Sequence, residues 1–128
     1  MKIAIVTDGI SPFIVGGMQQ HSYSLAKYLV LNGNEVTLFH FVKKDQRIPS
    51  EKELNKLFFE NKFKFHKVFC CYFPNSIWFP GHYLYNSYRY SKLVYFALKN
   101  DLNSYDFIYT KGFSGWKLLN EKVKGNFI

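Results

Sequence analysis

The hydrophobic positions of the chain change period at a few well-marked places. Ile3-Ala4-Ile5-Val6 is a short, wholly apolar and mostly β-branched run, the pattern of a strand buried on both faces of a parallel sheet. A loop carrying Gly9, Pro12 and the pair Gly16-Gly17 follows. From Met18 the spacing lengthens: Met18, Ser22, Leu25, Ala26 and Leu29 recur at three and four residues, with Gln19, Gln20, Lys27 and Asn34 between or beyond them. This predicts an amphipathic helix stopped by Asn32-Gly33, because glycine takes the left-handed conformation without steric cost. Glu35-Val36-Thr37-Leu38-Phe39 resumes a strand that runs out around His40-Phe41-Val42. The order strand, glycine loop, helix, glycine, strand is a βαβ unit.

The same reading carries through the rest of the chain. Lys43 to Ser50 is a polar surface loop, and Ser50 is placed to cap a short helix from Glu51 to about Glu60 with Leu54, Leu57 and Phe58 on one face. Phe63 to Phe73 alternates and then becomes fully apolar, which predicts a strand with an exposed start and a buried end. Trp78, Phe79 and Pro80 lie in a loop, and His82 to Asn100 reads as a long helix with Leu84, Tyr88, Ser91, Tyr95 and Leu98 as its inner stripe. Leu93, Phe96 and Ala97 widen that stripe. Phe107-Ile108-Tyr109 is a fourth strand, followed by a second glycine loop at 110–115 and a helix capped by Ser114 that runs to about Lys122. Lys124 to Ile128 begins another strand.

The fold class is therefore α/β, a sandwich with a mostly parallel sheet and strand order about 3-2-1-4. In such sheets ligands collect outside the carboxyl ends of the strands, where strand order reverses. Both glycine loops follow strand ends that flank this point.

Composition narrows the setting. A length of 128 residues suits one domain with a real core, and 48% hydrophobic residues argue against disorder. The only cysteines, Cys70 and Cys71, are adjacent; a bridge between neighbours is strained, so they read as core thiols of a reducing compartment. No apolar run reaches the ~20 residues of a membrane span, and Met1-Lys2 leads straight into a strand, which fits a cytoplasmic protein. The net charge of +8, from 17 basic and 9 acidic residues, favours anionic partners without choosing among them. Lysines and aromatics interleave most densely from Lys62 to Phe73, a segment that reads as half buried, so no nucleic-acid partner is expected. The long helix reads first as a crossover packed on the sheet. Its Arg89, Lys92 and Lys99, downstream of Trp78 and Phe79, also suit the anionic inner face of a membrane.

The candidate chemistry centres on Gly16-Gly17. At a helix start they leave backbone N–H groups open to a polar or anionic ligand, although the same glycines also serve simply to turn the chain. The G-x-G-x-x-G fingerprint is missing, strand two ends without an acid, and no G-x-x-x-x-G-K-[ST] occurs, so neither a dinucleotide site nor a P-loop is expected. His40, His66 and His82 read as packing residues.

The opening stretch, with Gly16-Gly17, Gln20-His21, Leu25-Ala26 and Gly33-Asn34-Glu35-Val36-Thr37, resembles the N-terminal segment of family-four glycosyltransferases, retaining enzymes of the GT-B fold. Tyr105-Asp106-Phe107-Ile108-Tyr109 with Ser114-Gly115-Trp116 is similar to the family's fourth strand and the loop after it. The resemblance implies a Rossmann-like acceptor-side domain, the N-terminal part of a GT-B fold, whose missing C-terminal donor domain would hold a nucleotide sugar. It implies transfer of that sugar to a glycan or lipid-linked acceptor without an obligatory metal or other cofactor. Gly16, Gly17 and Gln20 are then expected beside the donor, and His21 and Lys111 are the catalytic candidates. Many family members carry histidine where this chain has Lys111, which can balance phosphate charge or bond a sugar hydroxyl but cannot act as a neutral imidazole. On this reading the isolated chain is a fragment and inactive. The alternative is a non-catalytic basic α/β module that binds a membrane surface or nucleic acid.

Overall fold

A computed structural model describes residues 1–8, 16–42, 50, 52–53, 56, 65–73, 75–110, 115–120 and 126–127. The expected caps and loops at 9–15, 43–49 and 111–114 lie outside these residues, as do most of the helix expected at 51–60 and the strand positions 63–64. Five strands form one parallel sheet in the order β3-β2-β1-β4-β5: β1 (Lys2–Thr7), β2 (Glu35–Val42), β3 (Lys67–Tyr72), β4 (Phe107–Tyr109) and β5 (Asn126–Phe127). The first four strands have the expected order, and the strand foreseen at 124–128 is β5, paired with β4. Helix α1 (Gly17–Leu31) joins β1 to β2, α2 (His82–Leu98) follows β3, and α3 (Trp116–Asn120) follows β4.

Two cores identify the layers. On one face Ile3, Ile5, Val36, Leu38, Phe65 and Val68 pack with Ala26 of α1. On the other, Ala4, Val6, Phe39, Phe41 and Ile108 pack with Val94 and Leu98 of α2 and Leu118 of α3. Strand alternation sends successive residues to opposite faces, so β1 and β2 are buried on both sides. This is a Rossmann-like α/β fold with three layers.

Local chemistry explains the boundaries. Gly33 has φ +82°, and its N–H donates to Val30 O (3.0 Å) while Asn34 N–H donates to Leu29 O (3.2 Å), the paired bonds of a Schellman stop. Ser50 does cap a helix start: Glu53 N–H donates to Ser50 Oγ (3.1 Å), and Ser50 N–H donates to the Glu53 carboxylate (2.8 Å). That reciprocal capping box was written in Ser50-x-x-Glu53.

Two expectations are corrected. β3 does not run from an exposed start to a buried end: Phe65 is buried, whereas Phe69 and Tyr72 are 40% and 44% exposed. β3 is the sheet's edge on that side, so the ends of its side chains lack a further strand to pack against. The inner stripe of α2 is also different. Its buried residues are Asn86, Ser91, Val94 and Leu98; Leu84, Phe96 and Ala97 are exposed, and Tyr88, Leu93 and Tyr95 are half-buried. The small Ser91 lets α2 approach the sheet, and Asn86 is buried because it bonds the preceding loop.

Candidate functional site

The crevice lies at the carboxyl ends of β1 and β4, the pair across which strand order reverses. Thr7 ends β1, Asp8 follows it, and Tyr109 ends β4. Helix α1 begins here at Gly16-Gly17, where Gln20 N–H closes the first turn onto Gly16 O (3.0 Å). Gly16 supplies no side-chain cap and the first turn of the helix holds no acid of its own; among the described residues the nearest carboxylate is that of Asp8, which meets Gln19.

The two glycines differ. Gly16 is extended (φ 164°), a conformation open to any residue; an added Cβ would press on the Gln19 amide oxygen, the movable end of a flexible side chain. Among the described residues, a Cβ on Gly17 would meet nothing within 4 Å, and Gly17 does not adopt a left-handed conformation. Gln19 turns back to Asp8, its Nε2 donating to the carboxylate at 3.4 Å, which ties the end of β1 to the start of α1 across the loop.

Gln20 and His21 are exposed on the first turns of α1, and the His21 ring lies 6.4 Å from that of Tyr109. This contact bridges the crevice: it joins the helix after β1 to the end of β4. Gly16, Gly17, Gln20 and His21 are thus brought together at the switch point, with Tyr109 as an additional wall. Tyr109 was readable only as a strand residue, because its value here comes from strand order. Lys111 lies two residues beyond Tyr109, outside the described residues.

The second glycine loop closes by a different means. Gly115 is buried, and an added Cβ would collide with the Thr110 hydroxyl, with Thr110 Cβ at 3.3 Å. Here glycine allows the chain that starts α3 to touch the end of β4. Asp106 of the family-like stretch sits at the opposite end of the sheet. Its carboxylate accepts from Lys2 N–H, and its own N–H donates to Lys2 O, both at 2.8 Å. It sets the start of β4 against β1 and does not reach the crevice.

One further group at this end of the sheet is chemically unusual. His40, the register partner of Thr7, is fully buried, and neither ring nitrogen has a hydrogen-bond partner. Desolvation lowers its pKa from 6.5 to about 4, so it is a neutral core residue at ordinary pH. Burial likewise raises the Tyr105 phenol, as does the Asp101 charge to a smaller degree, against a lowering hydrogen bond with Thr37. His66 is exposed, and the His82 ring bonds Phe79 O through Nδ1 (2.9 Å).

No protein-family model matches this chain, and no curated protein does either. Among solved structures, the chain is similar to the C-terminal domain of a hydrogenase from Pyrococcus furiosus, in two crystal structures. The identities are 19% and 18% and the TM-scores 0.56 and 0.60; each alignment covers 99% of this chain and 88% of the other. At this identity the likeness is one of fold.

Proposed function

We propose that this chain is the acceptor-side part of a retaining glycosyltransferase that moves a sugar from a nucleotide-sugar donor to a glycan or lipid-linked acceptor. The observation that carries the reading is the His21–Tyr109 contact beside the start of α1 at the β1/β4 switch point, where no described atom lies within 4 Å of a Cβ added to Gly17. The opening motif supplies the family resemblance, and the geometry is consistent with it.

In this reading the backbone N–H groups at Gly16-Gly17 face the donor phosphates, which a helix start attracts by its dipole and unpaired donors. Gln20 offers an amide for sugar or phosphate oxygens, and His21 a ring nitrogen for a hydroxyl. Lys111 adds positive charge where the leaving diphosphate develops negative charge. The second wall, which would select base and sugar, comes from a donor domain outside this sequence. The isolated chain accordingly has no transfer activity.

The deciding observation is the coding sequence beyond Ile128, followed by an assay. A second α/β unit is expected there, and the joined protein should consume a nucleotide sugar. Gly17→Val should abolish that turnover while leaving the circular dichroism spectrum intact, since no described atom lies within 4 Å of the added Cβ. A stop codon directly after Ile128, turnover by the isolated chain, or unaltered kinetics in Gly17→Val would each reject the reading.

A further inference from the structure

The strongest unexplained feature is on the opposite side of the molecule from α1. Residues 61–100 contain Lys62, Lys64, Lys67, Arg89, Lys92 and Lys99 and not one Asp or Glu. Within this span, the loop before α2 and the first turn of α2 expose several apolar side chains, and Tyr85 and Phe96 are exposed on the outer face of the helix. Trp78 is 82% exposed, Tyr83 65%, Leu84 54% and Phe96 57%, with Ile77, Phe79 and Tyr85 beside them. The rings follow one another: Trp78 contacts His82, Phe79 meets Tyr85 at 5.4 Å, and Tyr95 meets Phe96 at 5.7 Å. Cations lie on these rings, Arg89 over Tyr85, Lys92 over Tyr88 (4.9 Å) and Lys99 over Phe96 (5.0 Å).

The loop that carries the tip is held in place. Buried Asn86 accepts from Ile77 N–H (3.0 Å) and donates to Ile77 O (2.8 Å), and Ser76 bonds the Tyr90 hydroxyl. Arg89 donates to Asn75 O at 2.7 Å. Arg89 is therefore a clamp on the loop, and Lys92 and Lys99 are the cations left to face a partner. A protein that fixes Ile77, Trp78 and Phe79 in solvent with three separate side chains has the entropy of their ordering already covered before a partner arrives.

We propose that this surface docks the protein on a bilayer containing anionic lipids, with Trp78 and its apolar neighbours entering the interface and Lys92 and Lys99 meeting the headgroups. The chemistry selects this occupant. Aromatics with adjacent ammonium groups match the boundary between acyl chains and anionic headgroups. The aliphatic Ile77 and Leu84 suit acyl chains better than stacked bases. A two-fold contact with a second copy would bring two sets of Lys92 and Lys99 into one interface, with no Asp or Glu in residues 61–100 to pair them. No helix among the described residues is long and apolar enough to cross a membrane, so the attachment is to the surface. It does not depend on the sugar-transfer reading, because it needs no nucleotide sugar.

The test is sedimentation with vesicles of pure phosphatidylcholine and of phosphatidylcholine mixed equally with phosphatidylglycerol. Binding is expected only to the mixed vesicles, with release near about 0.5 M salt, where screening is strong. Trp78 emission should shift to the blue on binding. Lys92→Gln and Lys99→Gln should each weaken binding roughly fivefold. Trp78→Ala should weaken it and remove the blue shift. The control pair Lys27→Gln and Lys2→Gln, on α1 and β1, preserves the change in net charge and should leave binding within about twofold. These four lysines and Trp78 project from the surface or its margin, and circular dichroism checks that each variant folds. Absence of binding overturns the proposal, as does equal loss in the control pair. So does RNA binding that the patch variants abolish without any vesicle binding, or Trp78-dependent self-association without it.

Discussion

The two faces of the sheet are built from different side chains. Toward α1 the core is largely aliphatic, Ile3, Ile5, Val36, Leu38 and Val68, and it encloses a histidine with no partner. Toward α2 the aliphatic residues Ala4, Val6, Val94, Leu98, Leu102, Ile108 and Leu118 are joined by a set of touching rings: Phe41 stacks on Phe73 at 5.3 Å, Phe73 meets Tyr90 at 4.4 Å, and Phe39 contacts both Phe69 and Tyr105. The aromatic character continues through α2 to its outer face, where the rings emerge with cations on them. The α1 side instead ends in backbone, at Gly16-Gly17. The alternation on β1, β2 and β3 sends different side chains to the two faces of the sheet.

The largest expected effect compares the two cores directly. Phe41→Ala should cost about 4 kcal/mol and Leu38→Ala about 3 kcal/mol, by urea unfolding, because the phenyl ring loses a stacked partner as well as buried area. Equal losses would mean that ring stacking adds nothing beyond burial, and the contrast between faces would reduce to side-chain size.

The next effect belongs to the α1 face alone. The pKa of His40 is about 4 when folded and near 6.5 when unfolded, so protonation favours the unfolded chain. The stability that neutral His40 provides is complete above pH 6.5 and is lost as pH falls toward 4. Between pH 7 and pH 5 this amounts to about 2 kcal/mol. His40→Leu removes the titrating ring and two unpaired polar atoms, and the slope over that interval should flatten by this amount. An unchanged slope would place the acid sensitivity elsewhere.

How far the sequence revealed these faces depended on the type of information needed. The βαβ unit was legible because Asn32-Gly33 and the period change at Met18 are local signals; strand order was taken from the fold class, and no particular residue carried it. The inner face of α2 was not. Counting Leu84, Tyr88 and Tyr95 as inward assumes that apolar means buried, whereas tyrosine satisfies its hydroxyl at the surface and Asn86 is drawn inward by the loop it bonds. Phe69 and Tyr72 were misplaced because an edge strand and a central one can have the same composition. Gly16, Gly17, Gln20 and His21 were named as site residues from the resemblance of the opening stretch, and the fold brings them together at the β1/β4 switch point. Asp8, Gln19 and Tyr109 were missed as a set, since their juxtaposition depends on chain pairs distant in sequence.

Asn86 gives a smaller and more local effect on the aromatic side. Asn86→Ala removes both bonds to Ile77 and should cost about 1–2 kcal/mol, limited because the exposed loop can turn to water. Hydrogen exchange at Ile77 should rise while exchange in β1 and β2 follows only the global change. The proposed docking surface would then retain its residues but lose its order, and vesicle binding should weaken without any change in charge. Wild-type binding by this variant would show that a fixed loop is unnecessary.

The smallest effect separates the two glycine loops at the crevice. Gly17→Ala places a methyl with no described atom within 4 Å at a helix start that requires no special conformation, so stability should stay the same or rise by up to about 0.5 kcal/mol as the unfolded chain loses freedom. Gly115→Ala places the same methyl against the short, poorly movable Thr110 side chain and should cost about 1–2 kcal/mol through overpacking. The opposite signs distinguish a glycine kept for what approaches from outside from one kept for what already touches it. Thr110→Ser, which deletes the methyl that an added Cβ would meet at 3.5 Å but keeps the hydroxyl, should recover little of the Gly115→Ala loss; Thr110→Ala should recover more, because the hydroxyl is the closest obstacle. Thermal unfolding of the two single variants and the two pairs measures this coupling. Purely additive losses would show that Gly115 is held by backbone conformation and not by its contact with the end of β4.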